Sequence, residues 1–112
     1  MSFITKEEPG NIFVIDCPQR LDVNISDDLK KIMADLIQRG IYKIVINLTD
    51  TRYVDSSGLG AIVSRIAVAR SNKGDVRLAT TTKSILDLLE LTHLNKILQC
   101  YDDVLSAVNS YR

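Results

Sequence analysis

Ser56 and Ser57 stand between a carboxylate, Asp55, and the small-residue stretch Gly58-Leu59-Gly60. The whole segment, Tyr53-Val54-Asp55-Ser56-Ser57-Gly58-Leu59-Gly60, joins an apolar run, Ile44 to Leu48, to an amphipathic stretch, Leu59 to Arg70. That order predicts a strand, a tight polar turn and the start of a helix. The first backbone N–H groups of a helix lack internal partners and carry partial positive charge, so a hydroxyl there is well placed to carry a phosphate. Ser56 is the residue this picks out. The same pattern also has a purely structural reading, in which Asp55 or Ser56 caps the helix while Gly58 and Gly60 let helix and sheet approach closely.

Other chemistries fit the residues less well. A serine nucleophile needs an adjacent base, and the elbow that presents one has glycines two residues to either side. Here Val54 fills the first place and Gly58 the second, and the single histidine, His93, sits in Leu91-Thr92-His93-Leu94 after a helix, where a surface or packing role is expected. No catalytic residue is assigned. Asp22, Asp50 and Asp55 are spaced along loops without a metal-ligand pattern, so no metal is expected. Gly58 and Gly60 are followed by no lysine and form no Gly-x-Gly-x-x-Gly, so no nucleotide cofactor is expected either. Cys17 and Cys100 lie far apart with no metal spacing and read as buried or half-buried thiols.

The elements that position the serine follow from periodicity. Phe3 to Thr5 and Ile12 to Ile15 flank Glu7-Glu8-Pro9-Gly10-Asn11, a connector suited to an antiparallel hairpin. Ile25, Leu29, Ile32, Met33, Leu36 and Ile37 recur at helical spacing, with Asn24 or Ser26 as N-cap, Asp27 and Asp28 in the first turn and Gly40 as the stop. Lys43 to Leu48 is β-branched and almost unbroken in apolar character, as in a strand covered on both faces. Leu59, Ile62, Val63 and Ile66 form a core-facing helical stripe closed by Gly74. Asp75 to Ala79 reads as a strand, Ile85, Leu88 and Leu89 as a short helix that Thr82 caps, Ile97-Leu98 as a short strand, and the chain from Asp102 or Asp103 as a last helix. This order predicts an α/β fold, a mixed and mostly parallel sheet with helices packed against it. Binding sites in such sheets gather beyond the carboxyl ends of parallel strands, and the loops at Arg20-Leu21-Asp22 and Asp55-Ser56 both follow strands.

Composition bounds the function. A chain of 112 residues that is 46% hydrophobic supports one core and no second fold. Fourteen basic and fourteen acidic residues balance, without the basic excess that nucleic-acid binding needs. The N-terminal stretch Met1 to Glu8 is charged and mixed, and no apolar run approaches bilayer length. The expectation is a cytoplasmic protein that binds neither nucleic acid nor membrane, and a monomer by default.

Asp55-Ser56-Ser57-Gly58-Leu59-Gly60 resembles the signature of bacterial anti-sigma factor antagonists, small proteins of the STAS domain class. Supporting positions are Leu21-Asp22, Ile46-Asn47-Leu48, Tyr53-Val54-Asp55-Ser56 and Leu91-Thr92-His93-Leu94, so the resemblance spans residues 1–112 as a single STAS-like domain. It implies a binding protein and not an enzyme. Ser56 would be phosphorylated by an anti-sigma factor with serine kinase activity and dephosphorylated by a dedicated serine phosphatase. The unphosphorylated form would bind the anti-sigma factor and free a sigma factor, with Asp22, Asp55, Ser56, Ser57 and Gly58 at the contact. Ser57 reads as a cap or first-turn residue and as a second possible phosphate acceptor.

A phosphate adds about 1.5 to 2 negative charges, and burying them beside Asp22 and Asp55 without a cation would cost several kcal/mol. Every 1.4 kcal/mol is about tenfold in affinity, so that cost is enough for a switch. One position departs from the family pattern. Where the family often has a glycine and an acidic residue before Leu-Asp, this chain has Cys17-Pro18-Gln19-Arg20, which changes the local field at the contact edge. The alternative is a stand-alone STAS domain that binds a small ligand, a nucleotide or a transporter component, indifferent to Ser56.

Overall fold

The computed structural model describes residues 3–112; Met1 and Ser2, which open the mixed N-terminal stretch, lie outside the described residues. Strands β1 (Ile4–Glu8) and β2 (Ile12–Asp16) form the expected antiparallel hairpin. Its turn needs two left-handed residues in succession, supplied by Gly10 at φ +100° and Asn11 at φ +61°. The chain continues through β3 (Arg20–Leu21), α1 (Ser26–Gln38), β4 (Lys43–Asn47), β5 (Tyr53–Val54) and α2 (Ser56–Val63). It then forms α3 (Ile66–Ser71), β6 (Asp75–Ala79), α4 (Lys83–Leu91), a short 3-10 turn (Leu94–Lys96), β7 (Cys100–Tyr101) and α5 (Val104–Asn109).

The main sheet has the order β1-β2-β4-β6-β7, antiparallel only at the hairpin. This is the mixed, mostly parallel α/β architecture expected from the sequence. Alternation along β4 explains its unbroken apolar run. Ile44 and Ile46 enter the larger core with Phe13, Ile15, Val76, Leu78 and the apolar faces of α1, α2 and α4, whereas Val45 faces a second, smaller core. There it meets Ile12, Val14 and Ala79 beneath Ala107 and Val108 of α5. Both faces of β4 are therefore sealed, with Ile44, Val45 and Ile46 each 0% exposed.

Helix α5 is fastened to that second face by polar contacts. The Tyr111 hydroxyl reaches the carbonyls of Ile44 and Asp75 at 2.7 and 2.8 Å, and the Arg77 guanidinium lies 4.2 Å from the Tyr111 ring centre. Arg77 also donates to the Ser110 carbonyl at 2.9 Å. Asp75 is buried but carries salt bridges from Arg70 at 2.9 Å and Arg77 at 3.1 Å, so its charge is matched.

Four local expectations change. The α1 start is not capped by Asn24 or Ser26: Ser26 is the first helical residue and is buried, and Ile25 precedes it. The Asp22 carbonyl instead accepts from the Ile25 and Ser26 N–H groups at 3.1 and 2.9 Å. The stripe Leu59 to Ile66 is broken into α2 and α3, because the Ser64 hydroxyl donates to the Ala61 carbonyl at 2.7 Å and Arg65 leaves helical geometry at ψ +10°. Thr82 precedes α4 as expected, yet its hydroxyl donates to the Thr51 carbonyl at 3.1 Å and does not cap. Ile97-Leu98 is not a strand. His93 turns left-handed at φ +62°, the 3-10 turn follows, and the Leu98 N–H still donates back to the Leu94 carbonyl at 2.8 Å, so extended pairing begins only at Cys100.

Candidate functional site

The site is built on a second, two-stranded sheet that the sequence reading did not contain. Strand β3 pairs with β5 in parallel, Arg20 opposite Tyr53 and Leu21 opposite Val54. Leu21 and Val54 point into the core, so the alternation of a strand sends Arg20 and Tyr53 outward. The Asp55 N–H donates to the Leu21 carbonyl at 3.2 Å, which closes the Leu21–Val54 pair and leaves Asp22 and Asp55 as the residues that directly follow it on the two sides. Asp22 and Asp55, 33 positions apart in sequence, thus meet at the carboxyl ends of two adjacent strands.

Each carboxylate organises backbone. Asp55 is the N-cap of α2, with Oδ1 accepting from the Gly58 N–H at 2.9 Å, and its Oδ2 accepts from the Val23 N–H at 3.0 Å. One side chain therefore ties the helix start to the loop after β3. Asp22 accepts from the Asn24 N–H at 3.1 Å and faces the Arg20 guanidinium at 3.4 Å. The capping role left open between Asp55 and Ser56 belongs to Asp55. Ser56 is the first residue of α2 and is exposed; Ser57 follows it, half-buried.

Gly58 and Gly60, equivalent by sequence, are not equivalent in space. A Cβ on Gly58 would lie 2.4 Å from the Leu21 carbonyl oxygen and 2.9 Å from Val54 Cγ1, so only a glycine lets α2 sit this close to β3. Among the described residues, a Cβ on Gly60 would meet nothing within 4 Å. Close packing explains the first glycine and not the second.

Around Ser56 the outer surface mixes charge and ring. The Arg20 guanidinium covers the Tyr53 ring at 4.2 Å from its centre, Tyr53 is 43% exposed, and Val23, whose N–H bonds Asp55, is exposed as well. Arg52 donates to the Thr49 carbonyl and to the Thr82 hydroxyl, both at 3.3 Å, while the Ser84 hydroxyl donates to the Arg52 carbonyl at 3.5 Å. These bonds set the start of α4 against the strand that carries Tyr53. Val23 and Tyr53 had no assigned role in the sequence reading. The signal for Tyr53 was its place two residues before Asp55, on the outward side of a strand, but the strand itself is only two residues long.

The remaining candidates stand apart. Cys17 is buried, and burial first, then the Asp16 carboxylate, push its thiol up to about 12, so it is no nucleophile at neutral pH. Cys100 is half-buried, and burial raises its thiol as well. His93 is exposed at the left-handed turn after α4. Among the described residues, no group of three or more His, Cys, Asp or Glu is placed to hold a metal ion, and no helix is long and apolar enough to cross a membrane. A groove of about 560 Å³ runs along the β7 edge, between Leu86 and Leu89 of α4 and the residues Lys96 to Tyr101, and none of Asp22, Asp55 or Ser56 lines it.

Comparison with known proteins places these features in a lineage. The STAS domain family model matches residues 3–107. The anti-sigma F factor antagonist of Paenibacillus polymyxa is 28% identical over 106 residues, covering 94% of this chain and 91% of that protein. The anti-sigma-B factor antagonist of Staphylococcus aureus is 28% identical over 78 residues, 70% of this chain and 72% of that protein. Among solved structures, a STAS domain protein from Planctomyces limnophilus superposes with a TM-score of 0.88 at 18% identity, covering 99% of this chain and 98% of that one. The Bacillus cell-fate determinant SpoIIAA in its phosphorylated form superposes with a TM-score of 0.78 at 18% identity, covering 99% and 100%. At such identities the two structures speak for the fold alone.

Proposed function

The chain belongs to the STAS domain family, and we propose that all of residues 1–112 form one such domain acting as an anti-sigma factor antagonist under the control of Ser56. In this reading the unphosphorylated protein binds an anti-sigma factor that is also a serine kinase, and a sigma factor is released. The kinase phosphorylates Ser56 and ends the complex; a serine phosphatase restores it. The protein supplies a surface and a hydroxyl, its partners supply the chemistry, and the compartment is the cytoplasm.

The observation that carries the reading is the placement of Ser56. It is exposed on the first turn of α2, next to a carboxylate that holds both the helix start and the loop after β3. A partner that covers this edge must lie over the Ser56 hydroxyl. With phosphate there, the same partner would have to desolvate about 1.5 to 2 further negative charges beside Asp55, at several kcal/mol unless it brings a cation. Relatives named anti-sigma factor antagonists support this reading over a purely structural role for the turn.

The test is binding to a candidate partner, an anti-sigma factor with a histidine-kinase-like ATPase domain from the same genome. Wild type and Ser56→Ala are expected to bind it, Ser56→Ala even in the presence of ATP, and Ser56→Asp at least tenfold more weakly. Equal binding by all three would reject the switch. The ligand-binding alternative finds a place in the β7-edge groove, and it predicts saturable binding of a small molecule that Ser56→Asp leaves unchanged.

A further inference from the structure

We infer that Arg20 is a built-in receptor for the phosphate of phosphorylated Ser56, drawn from Asp22 onto that phosphate when it is present; this rests on the reading of Ser56 as the modified residue. The geometry starts from the β3–β5 register. Arg20 lies opposite Tyr53, and its side chain folds forward along the strand, with Nε 3.4 Å from Asp22 Oδ2. Asp22 directly follows the Leu21–Val54 pair on one side as Asp55 does on the other, so the guanidinium paired with Asp22 lies at the strand ends that lead into Ser56, and adjacent Cα atoms are about 3.8 Å apart. A phosphate on Ser56 falls within the swing of a side chain that is 64% exposed and held by one long ion pair and one aromatic face.

The charges around it make this transfer favourable. Asp22 and Asp55 directly follow β3 and β5, and Asp27 and Asp28 lie in the first turn of α1. Of the cations near this edge, Arg52 is bonded to Thr49 and Thr82, and Lys83 at the start of α4 is paired with Asp87 at 2.9 Å. Among the described residues, Arg20 is bonded to a single carboxylate, that of Asp22, at the outer limit of hydrogen-bond length. A phosphate is the stronger acceptor, because it carries nearly twice the charge and offers oxygens that fit the guanidinium fork. Phosphorylation would then change the surface at two places, adding the phosphate and baring Asp22 while disturbing the Arg20 cover on Tyr53.

The experiment uses the full chain with phosphoserine installed at position 56 during translation, so that no kinase is involved. Its second ionisation, ordinarily near pH 6, is followed by phosphorus NMR. Arg20→Gln is expected to raise that midpoint by about half a pH unit, the scale of an exposed ion pair. Arg20→Lys should keep most of the wild-type value, Arg52→Gln should match wild type, and about 1 M salt should shrink the difference. In the wild-type phosphoprotein, the Arg20 Nε–H resonance should titrate with the same midpoint. Identical midpoints for wild type and Arg20→Gln, or an Arg20 resonance blind to phosphorylation, would overturn the inference. Failure of every kinase to modify Ser56 would instead strike the underlying reading and leave these midpoints untouched.

Discussion

Exchanging each glycine of the α2 first turns for alanine separates close packing from helix propensity. In Gly58→Ala the new Cβ arrives 2.4 Å from the Leu21 carbonyl oxygen, 2.9 Å from Val54 Cγ1 and 3.0 Å from Leu21 Cγ. Restoring ordinary contact requires β3 and α2 to part by about 1 Å, and overpacking of this kind costs about 1 to 3 kcal/mol. Alanine returns up to about 1 kcal/mol of helix propensity. The carbonyl that must move is the one accepting from Asp55 N–H, so the strain passes into the capping bond that Asp55 makes to residue 58. The expected net loss is about 1 to 2 kcal/mol. Gly60→Ala meets nothing within 4 Å and should gain up to about 1 kcal/mol. The two variants should then differ by about 1 to 3 kcal/mol, or about 0.5 to 2 M in urea midpoint at an m-value typical of this size. Urea unfolding followed by circular dichroism reads this directly. Equal midpoints, or a Gly58→Ala variant more stable than Gly60→Ala at unchanged m, would refute the close approach of α2 to β3.

Two further outcomes follow from the same geometry. Asp55→Ala removes the acceptor for both Gly58 N–H and Val23 N–H and should lower stability by about 1 to 2 kcal/mol, the loss of a good N-cap; amide exchange should quicken at both positions and not in β4. Burial raises the Cys17 thiol from 9.0 to about 12 and also raises the Tyr111 hydroxyl, so the fold favours the neutral form of each. Their contribution is complete below pH 9 and is lost as pH climbs from there toward 12, so stability should hold level near neutrality and decline above pH 9. Cys17→Ala should flatten the start of that decline, and a thiol reagent on the native protein should label Cys100 and spare Cys17.

What could be read from residues alone was whatever a repeating local pattern announces. The unbroken run at β4, the heptad-like stripe of α1 and the turn residues Gly10 and Asn11 each encode their element within a few neighbours, and their order implied the parallel sheet. That the Asp22 and Asp55 loops lie beyond the carboxyl ends of strands was also legible. The β3–β5 sheet was not, since two residues on each side carry no period and the pairing joins positions 33 apart. Likewise, Asp55 was a turn residue by type, but its bond to Val23 depends on that pairing. The break after Val63 rests on a single hydroxyl, that of Ser64, in a stripe whose apolar spacing continues through it. His93, left-handed without being glycine, delays the last strand by a few residues. Arg20 drew notice as a change of charge, yet its place over Tyr53 appears only when the register turns both outward.

The central claim is that Ser56 carries the switch, and the most direct measurement is mass spectrometry of the intact and fragmented protein after incubation with ATP and each candidate anti-sigma factor kinase of the same genome, wild type against Ser56→Ala. One phosphate confined to Ser56, and absent from the variant, is the predicted result. A phosphate on Ser57 or elsewhere that survives in Ser56→Ala, or none transferred to either protein, would contradict it.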